Sequence, residues 1–211
     1  IKLTQLGLDL SPTLAERHLR MILERAQADD FFVRIDMENS PYVEPTLAIF
    51  EAVWRDGLRN VGVVLQSALK RSEADLVRVL ALGARVRLVK GAYKEPAAVA
   101  WQAKVEVDAA YVRMLERLLH EGHFPAVATH DPVMIARARS IATSAGLRPD
   151  GYEFQMLYGV RRDLQATLQH EGAGVRVYIP YGREWFPYFM RRLGERPANV
   201  GFVLKSLWHD R

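Results

Sequence analysis

The sequence contains no cysteine among its 211 residues, which excludes disulfide bridges, thiolate metal sites and cysteine nucleophiles within it. It also has no apolar run close to the roughly 18 residues that a membrane-spanning helix needs. No P-loop motif occurs. The segment "GAGVRV" at 172–177 precedes a predicted strand, whereas a dinucleotide-binding fingerprint follows one. These absences remove thiol chemistry, a Walker-type site and a Rossmann fingerprint from consideration.

Charge is nearly balanced, with 29 Lys and Arg residues against 25 Asp and Glu residues and a formal net charge of +4. This excess of positive charge favours anionic ligands or an anionic surface. It is too small to indicate nucleic-acid binding. Hydrophobic residues make up 49% of the chain and charged residues 26%, which is ordinary for a soluble globular domain. No linker or low-complexity segment divides the chain, so we expect residues 1–211 to form one domain.

Strand-like segments alternate with helical ones along the whole chain. One predicted helix is capped by Ser11 and has Pro12 at its first position, and another ends at Gly122. The predicted strands are "IKLTQLGL", "FFVRIDME", "NVGVVLQS", "RVRLVKGA", "FPAVATHD", "YEFQMLYG" and "VRVYIPYG". This alternation predicts βαβ units and a parallel sheet.

The predicted strands have one apolar face and one polar face. The apolar face carries Ile1, Leu3, Val33, Ile35, Met37, Val63, Leu65, Val86, Leu88, Val175, Val177 and Ile179. The polar face carries Lys2, Thr4, Arg34, Asp36, Glu38, Gln66, Arg85, Arg87, Glu153, Gln155, Arg176 and Tyr178. An open doubly wound sheet would be apolar on both faces, so the pattern predicts an α/β fold of the closed (β/α)₈ barrel type with a polar interior.

Seven predicted strands are one short of the eight that close such a barrel. The segment "ANVGFVLKSLW" near the end of the chain could supply the eighth strand. Alternatively, the first strand could precede Ile1, since the sequence begins without Met and directly in a strand-like segment. We expect the second arrangement.

Polar residues collect at the carboxyl ends of the predicted strands, where barrels of this type carry their active sites. In "RLVKGAY" two cations, Arg87 and Lys90, stand where a buried strand should be apolar. The complete set is Asp36, Glu38, Gln66, Arg87, Lys90, Thr129, His130, Gln155 and Tyr178. A functional site is favoured over a self-contained internal salt-bridge network, although both require the charges to be paired.

Two further groups of residues have competing interpretations. His120, His123 and His130 lack a metal-binding spacing, so no metal site is expected. Arg191 and Arg192 fall in a predicted aromatic-rich helix, with Glu195 close behind in the sequence. Two adjacent guanidinium groups could clamp a carboxylate or form the solvated face of an outer helix, and the residues alone favour neither.

Taken together, the motifs resemble the proline dehydrogenase family, the flavin enzymes of proline catabolism, and most closely its single-function bacterial form. The resemblance rests on "KLTQLG", "RIDME", "VVLQS", "RLVKGAY", "ATHD", "YEFQMLYGV", "RVYIPYG" and "YFMRRLGERPAN", which occur in the family's order. It implies a distorted (β/α)₈ barrel of which strands two to eight are present. It also implies that the last helix lies over the barrel mouth, which favours the clamp.

The resemblance implies FAD as cofactor, lying across the strand ends, with Arg87 beside the flavin N5. Residues implied to bind FAD are Met37, Gln66, Arg87, Val89, Lys90, Gly91, Ala92, Tyr93, Thr129, His130, Gln155 and Glu195. Residues implied to bind the proline zwitterion are Lys2, Asp36, Leu157, Tyr178, Arg191 and Arg192. Asp36 and Arg87 are expected to be catalytic.

The implied reaction oxidises L-proline to Δ1-pyrroline-5-carboxylate by hydride transfer to the flavin, which then reduces a quinone. The protein would accordingly be cytoplasmic, and its slightly basic charge is compatible with peripheral attachment to the inner face of the membrane. Three alternatives remain open. They are a hydroxyproline dehydrogenase of the same family, a flavin-free barrel lyase or isomerase acting on a phosphorylated substrate, and a non-catalytic flavin-binding module.

Overall fold

The computed structural model describes residues 1–182, which form alternating strands and helices. The strands are β1 (Val33–Ile35), β2 (Val61–Gln66), β3 (Arg85–Val89), β4 (Ala126–Ala128), β5 (Glu153–Leu157) and β6 (Gly174–Tyr178). The helices are α1 (Pro12–Ala28), α2 (Val43–Arg55), α3 (Ser72–Leu80), α4 (Lys104–Glu121), α5 (Pro132–Ser144) and α6 (Arg162–His170). Short 3₁₀ turns occupy Thr4–Leu6 and Ser40–Tyr42. None of the helices described is long and apolar enough to cross a membrane.

All six strands are parallel, and each pairs with the next strand in the chain. A doubly wound sheet would reverse its strand order partway, whereas a barrel keeps it sequential. The prediction of a parallel, barrel-type α/β fold is therefore confirmed as far as a curled half-barrel of six strands. The complete eight-stranded barrel is not seen within residues 1–182.

The prediction of a strand at "IKLTQLGL" was wrong. Only Ile1 follows the free edge of β1, donating to Arg34 O at 2.9 Å and accepting from Asp36 N at 2.8 Å. The chain then turns into the 3₁₀ helix Thr4–Leu6, and Gly7 ends that helix with a φ of 98°. The carboxylate of Glu38 favours this turn, because it accepts hydrogen bonds from the N–H and the hydroxyl of Thr4 at 3.2 and 2.9 Å.

The apolar face of the strands packs against the helices and forms the core. Ile35, Val63, Val86 and Leu88 are fully buried there, and β2 is buried along its whole length. Helix α1 begins after Ser11 with Pro12 in its first turn, as predicted, although the Ser11 side chain makes no capping hydrogen bond. Helix α4 ends at the predicted Gly122.

The polar face lines the barrel interior, and arginines fill its lower end, where the strands begin. Arg34 Nη1 donates to Val63 O at 3.1 Å and to Arg85 O at 2.7 Å. Its guanidinium passes over Gly62, where an added Cβ would lie 2.4 Å from Arg85 O and 2.7 Å from Arg34 Nη1. Burial, with a smaller contribution from the charge of Arg87, lowers the pKa of Arg34 to about 9.

Candidate active site

The carboxyl ends of the strands bring three other predicted site residues into contact with Arg87. Arg87 Nη1 donates to Asp36 Oδ1 at 2.7 Å, and Arg87 Nε donates to Gln155 Oε1. The Tyr178 ring lies 5.7 Å from the guanidinium carbon, and its hydroxyl donates to Asp36 Oδ2 at 3.4 Å. The side chains of Arg87 and Asp36 are only 12% and 19% exposed. A cation is therefore fixed in direction by β1, β3, β5 and β6 at the opening of the barrel.

This cluster continues through two residues that were not predicted as site residues, the buried Glu153 and the exposed Arg176. Gln155 Nε2 donates to Glu153 Oε1. Glu153 also accepts from Arg176 Nε, at 2.9 and 3.0 Å to its two oxygens. The sequence pattern placed Glu153 and Arg176 on the polar face. Their spacing in the sequence could not show that they form a hydrogen-bonded series with Gln155. The internal salt-bridge network weighed against a functional site is thus present, and the candidate site is its upper end.

Lys90, after the end of β3, is held by two carboxylates. Its Nζ lies 2.5 Å from Asp108 Oδ1 and 2.8 Å from Asp131 Oδ2. Asp131 also caps α5 by accepting from Val133 N at 3.0 Å. Burial alone would raise the pKa of Asp131, but hydrogen bonds from Lys90 and Val133 outweigh it and the pKa is lowered. The sequence analysis did not find this pairing, because Asp108 lies within helix α4, far from any strand-end motif.

Gly91 has a φ of +112°, a conformation that favours glycine. An added Cβ would lie 3.2 Å from Ala68 Cβ and 3.3 Å from Gln66 Oε1. Gln66 is itself fixed, since its Nε2 donates to Glu38 O at 2.8 Å. The turn after β3 therefore brings bare backbone against the end of β2.

The segment after Gly91 contacts Lys2 and Ser40, which precede and follow β1 in the chain. Lys2 Nζ donates to Tyr93 Oη at 3.4 Å. Two residues further on, the Glu95 carboxylate accepts from Ser40 N at 2.7 Å and from Ser40 Oγ at 2.6 Å. Lys2 and Asp36 were both predicted to contact the substrate. In the structure Lys2 contacts Tyr93, whereas Asp36 contacts Arg87.

The remaining predicted site residues make mainly backbone contacts. His130 Nε2 accepts from Leu157 N at 2.9 Å. Thr129 Oγ1 accepts from Asp131 N at 3.1 Å. Met37 is buried, while Val89 and Ala92 flank the Lys90–Gly91 turn.

The predicted residues Arg191, Arg192 and Glu195 lie outside the described residues. Within residues 1–182, no three His, Asp or Glu side chains gather as metal ligands.

Known proteins match this chain over almost its whole length. The family model described as proline dehydrogenase matches residues 1–205. Proline dehydrogenase 1 of Bacillus subtilis strain 168 is 44% identical over 207 residues, covering 98% of this chain and 68% of the relative. Proline dehydrogenase of Deinococcus radiodurans is 44% identical over 202 residues, covering 95% of this chain and 64% of the relative.

Solved structures with the same fold belong to larger proteins. A structure of proline utilization A with proline bound in remote sites superposes with a TM-score of 0.84 at 28% identity, covering 98% of this chain. Proline utilization A from Bdellovibrio bacteriovorus, inactivated by N-propargylglycine, also has a TM-score of 0.84, at 26% identity over 92% of this chain. The chain spans only 24% and 23% of these two proteins.

Proposed function

Since the chain belongs to the proline dehydrogenase family, we propose that it is the catalytic barrel of an enzyme that oxidises L-proline with FAD. The observation that carries the proposal is the fixed cation at the barrel mouth, Arg87, held by Asp36 and Gln155 beside the Tyr178 ring. An alternative barrel activity on a phosphorylated substrate has no comparable support, because Lys90 is already held by two carboxylates.

The residues at the strand ends fit an FAD group. A flavin that accepts a hydride gains negative charge, and a fixed guanidinium such as that of Arg87 is suited to face that charge. Close approach of an aromatic ring system also requires backbone without a side chain, which the positive-φ Gly91 supplies. By resemblance, Lys90, Gln66 and the backbone of Val89–Tyr93 would hold the cofactor, with Met37, Thr129, His130, Gln155 and Glu195.

When bound, FAD supplies the hydride-accepting chemistry. The chain's own residues then have separate tasks. Arg87 provides positive charge in a fixed direction, and Asp36 holds that direction through the 2.7 Å ion pair. Tyr178 presents a flat apolar surface against which the pyrrolidine ring can pack.

The substrate is an amino acid zwitterion, so its site must bind a carboxylate and accept an amine. We assign the carboxylate to Arg191 and Arg192, whose planar guanidinium groups suit bidentate binding. Lys2, Asp36 and Leu157 would complete the proline pocket. The product would be Δ1-pyrroline-5-carboxylate and the electron acceptor a quinone, reached by an otherwise cytoplasmic protein through peripheral contact with the inner face of the membrane.

The test is anaerobic addition of L-proline to the full-length protein while the visible spectrum is followed. We expect a yellow protein whose flavin absorbance near ~450 nm bleaches with proline, and bleaches more slowly with trans-4-hydroxy-L-proline. Faster bleaching with hydroxyproline would reassign the substrate within the family. A yellow protein that proline does not bleach would indicate a non-catalytic flavin module. A colourless protein that takes up no added FAD would favour a flavin-free lyase or isomerase.

A further inference from the structure

A continuous hydrogen-bonded chain runs from Arg176, on the last strand of the described sheet, through two buried side chains to the candidate active site. Arg176 donates to Glu153, Glu153 accepts from Gln155, and Gln155 accepts from Arg87. Arg87 in turn donates to Asp36. Glu153 and Gln155 are 7% and 5% exposed, so the middle of this chain is closed to water.

The Gln155 side chain is the only carboxamide in that chain, and its two ends are chemically different. Its oxygen can accept only, and its nitrogen can donate only. Arg87 has no acceptor and an ionised Glu153 has no donor, so only one orientation of the amide satisfies both neighbours. Turning the amide over would set two donors against each other at Arg87 and two acceptors against each other at Glu153.

The sheet is built to hold Glu153 in this position. Its neighbours across the sheet are Ala126 on β4 and Gly174 on β6, both small. Arg176, one pleat above Gly174, contacts both carboxylate oxygens of Glu153. This ion pair raises the pKa of the Arg176 guanidinium through the hydrogen bond to Glu153. Arg176, level with Gln155 in the sheet, thus pairs with the acid from the side of β6, and the acid also accepts from the Gln155 nitrogen above it.

We infer that Glu153 is a positioning residue, which fixes the orientation of the Gln155 amide and thereby the direction of Arg87. Its catalytic consequence rests on the function proposed above. Without an acceptor at position 153, the Gln155 nitrogen loses its partner and the amide is free to turn. Arg87 then keeps the Asp36 contact but loses its second anchor, and its guanidinium no longer faces the mouth in one direction.

The test compares two substitutions of the same residue. Glu153→Gln removes the charge but keeps an oxygen that can accept from Gln155, whereas Glu153→Leu removes the acceptor as well. We expect Glu153→Leu to weaken FAD binding or proline-dependent reduction about tenfold or more, and Glu153→Gln to stay within about threefold of wild type. Glu73→Gln, an isosteric change in the exposed Arg113 pair, serves as the control. Equal losses in both Glu153 variants would mean that charge is what matters and would overturn the inference.

A double-substitution cycle shows whether the effect passes through Gln155. If it does, Glu153→Leu should cost nothing further in a Gln155→Leu background. Additive losses would mean that Glu153 acts by another route. Thermal unfolding of each variant distinguishes a folding defect from a positioning effect. A purely structural role for Glu153 would lower the melting temperature without changing FAD affinity in the folded fraction.

A third measurement does not depend on the proposed function. The Arg87 Nε–H is held by a buried oxygen, so its exchange with solvent should be slow by NMR in wild type and faster by about tenfold in Glu153→Leu. Unchanged exchange in Glu153→Leu would overturn the inference even in an active enzyme. Failure of wild type to be bleached by proline, with exchange altered as expected, would refute the proposed function and leave the inference supported.

Discussion

Asp36 and Arg87 form a 2.7 Å ion pair between the ends of strands β1 and β3, although β2 lies between those strands in the sheet. Curling of the sheet favours such a contact, because side chains two strands apart converge on its concave face. The pair therefore links the curvature of the fold to the geometry of the candidate site.

We expect Asp36→Asn to lower proline-dependent flavin reduction by about 100-fold or more, because Arg87 would lose the anion that sets its direction. Breaking a largely buried pair should also lower the free energy of unfolding, by about 1–3 kcal/mol. Stopped-flow reduction and chemical denaturation would measure the two effects.

Asp56→Asn is the matched control, because Asp56 pairs with Arg20 at 2.6 Å but is 59% exposed. That variant should change stability by less than about 1 kcal/mol. Full activity in Asp36→Asn would contradict the proposed role.

A second prediction concerns the lower end of the barrel. Gly62→Ala would place a Cβ 2.4 Å from the Arg85 carbonyl oxygen, a backbone atom that cannot move away without disturbing β3. We expect a loss of about 2–4 kcal/mol in the free energy of unfolding, from overpacking beneath the site.

Gly57→Ala separates crowding from backbone strain. An added Cβ there meets nothing within 4 Å, but the φ of +94° is strained for alanine. Its cost should be close to about 1 kcal/mol. Equal losses in the two variants by urea denaturation would mean that the tight approach at Gly62 is not important.

The sequence predicted the features that follow from periodicity and missed those that depend on three-dimensional partners. Alternation of apolar and polar residues identified six parallel strands and the polar interior correctly. It failed at "IKLTQLGL", where Leu3, Leu6 and Leu8 suit a strand or a turn equally and the carboxylate of Glu38 favours the turn.

The residues of the candidate site fall into the same two groups, those predictable from the sequence pattern and those that depend on three-dimensional partners. Arg87, Asp36, Gln155 and Tyr178 could be predicted, because each stands at a strand end and the strand ends of a barrel converge. Asp108 could not, since it lies within a helix and only the position of α4 against β3 brings it to Lys90.

A third prediction tests how Lys90 is held. Hydrogen bonds from Lys90 help lower the pKa values of Asp108 and Asp131, against the opposing effect of burial. Carboxylates with lowered pKa values stabilise the folded protein above their unfolded pKa near 3.8, and this stabilisation is lost as pH falls through the folded values. In Lys90→Met the two acids lose that partner, so burial should raise their pKa values.

The difference in unfolding free energy between wild type and Lys90→Met should therefore be largest near neutral pH, at about 1–3 kcal/mol. It should shrink as the pH falls below about 4. Urea denaturation of both proteins between pH 7 and pH 3 would measure it. Lys104→Met provides the control, because Lys104 also contacts Asp108 but is 78% exposed. A penalty in Lys90→Met that grew on acidification would show that Lys90 is not stabilised by these acids.

The last prediction concerns Arg191 and Arg192, proposed to bind the proline carboxylate. Lys keeps the charge of Arg but lacks its planar fork, so Arg191→Lys and Arg192→Lys should each weaken binding of a non-reducible proline analogue about 10- to 150-fold. FAD content should stay unchanged.

Arg87→Lys should do the reverse, lowering FAD content or its reduction more than analogue affinity, since Arg87 contacts Asp36 and Gln155 at the strand ends. Titrating each full-length variant with the analogue, while following the flavin spectrum, measures both quantities. Wild-type affinity in the Arg191 and Arg192 variants would place the carboxylate elsewhere and leave Lys2 as the cation to test next.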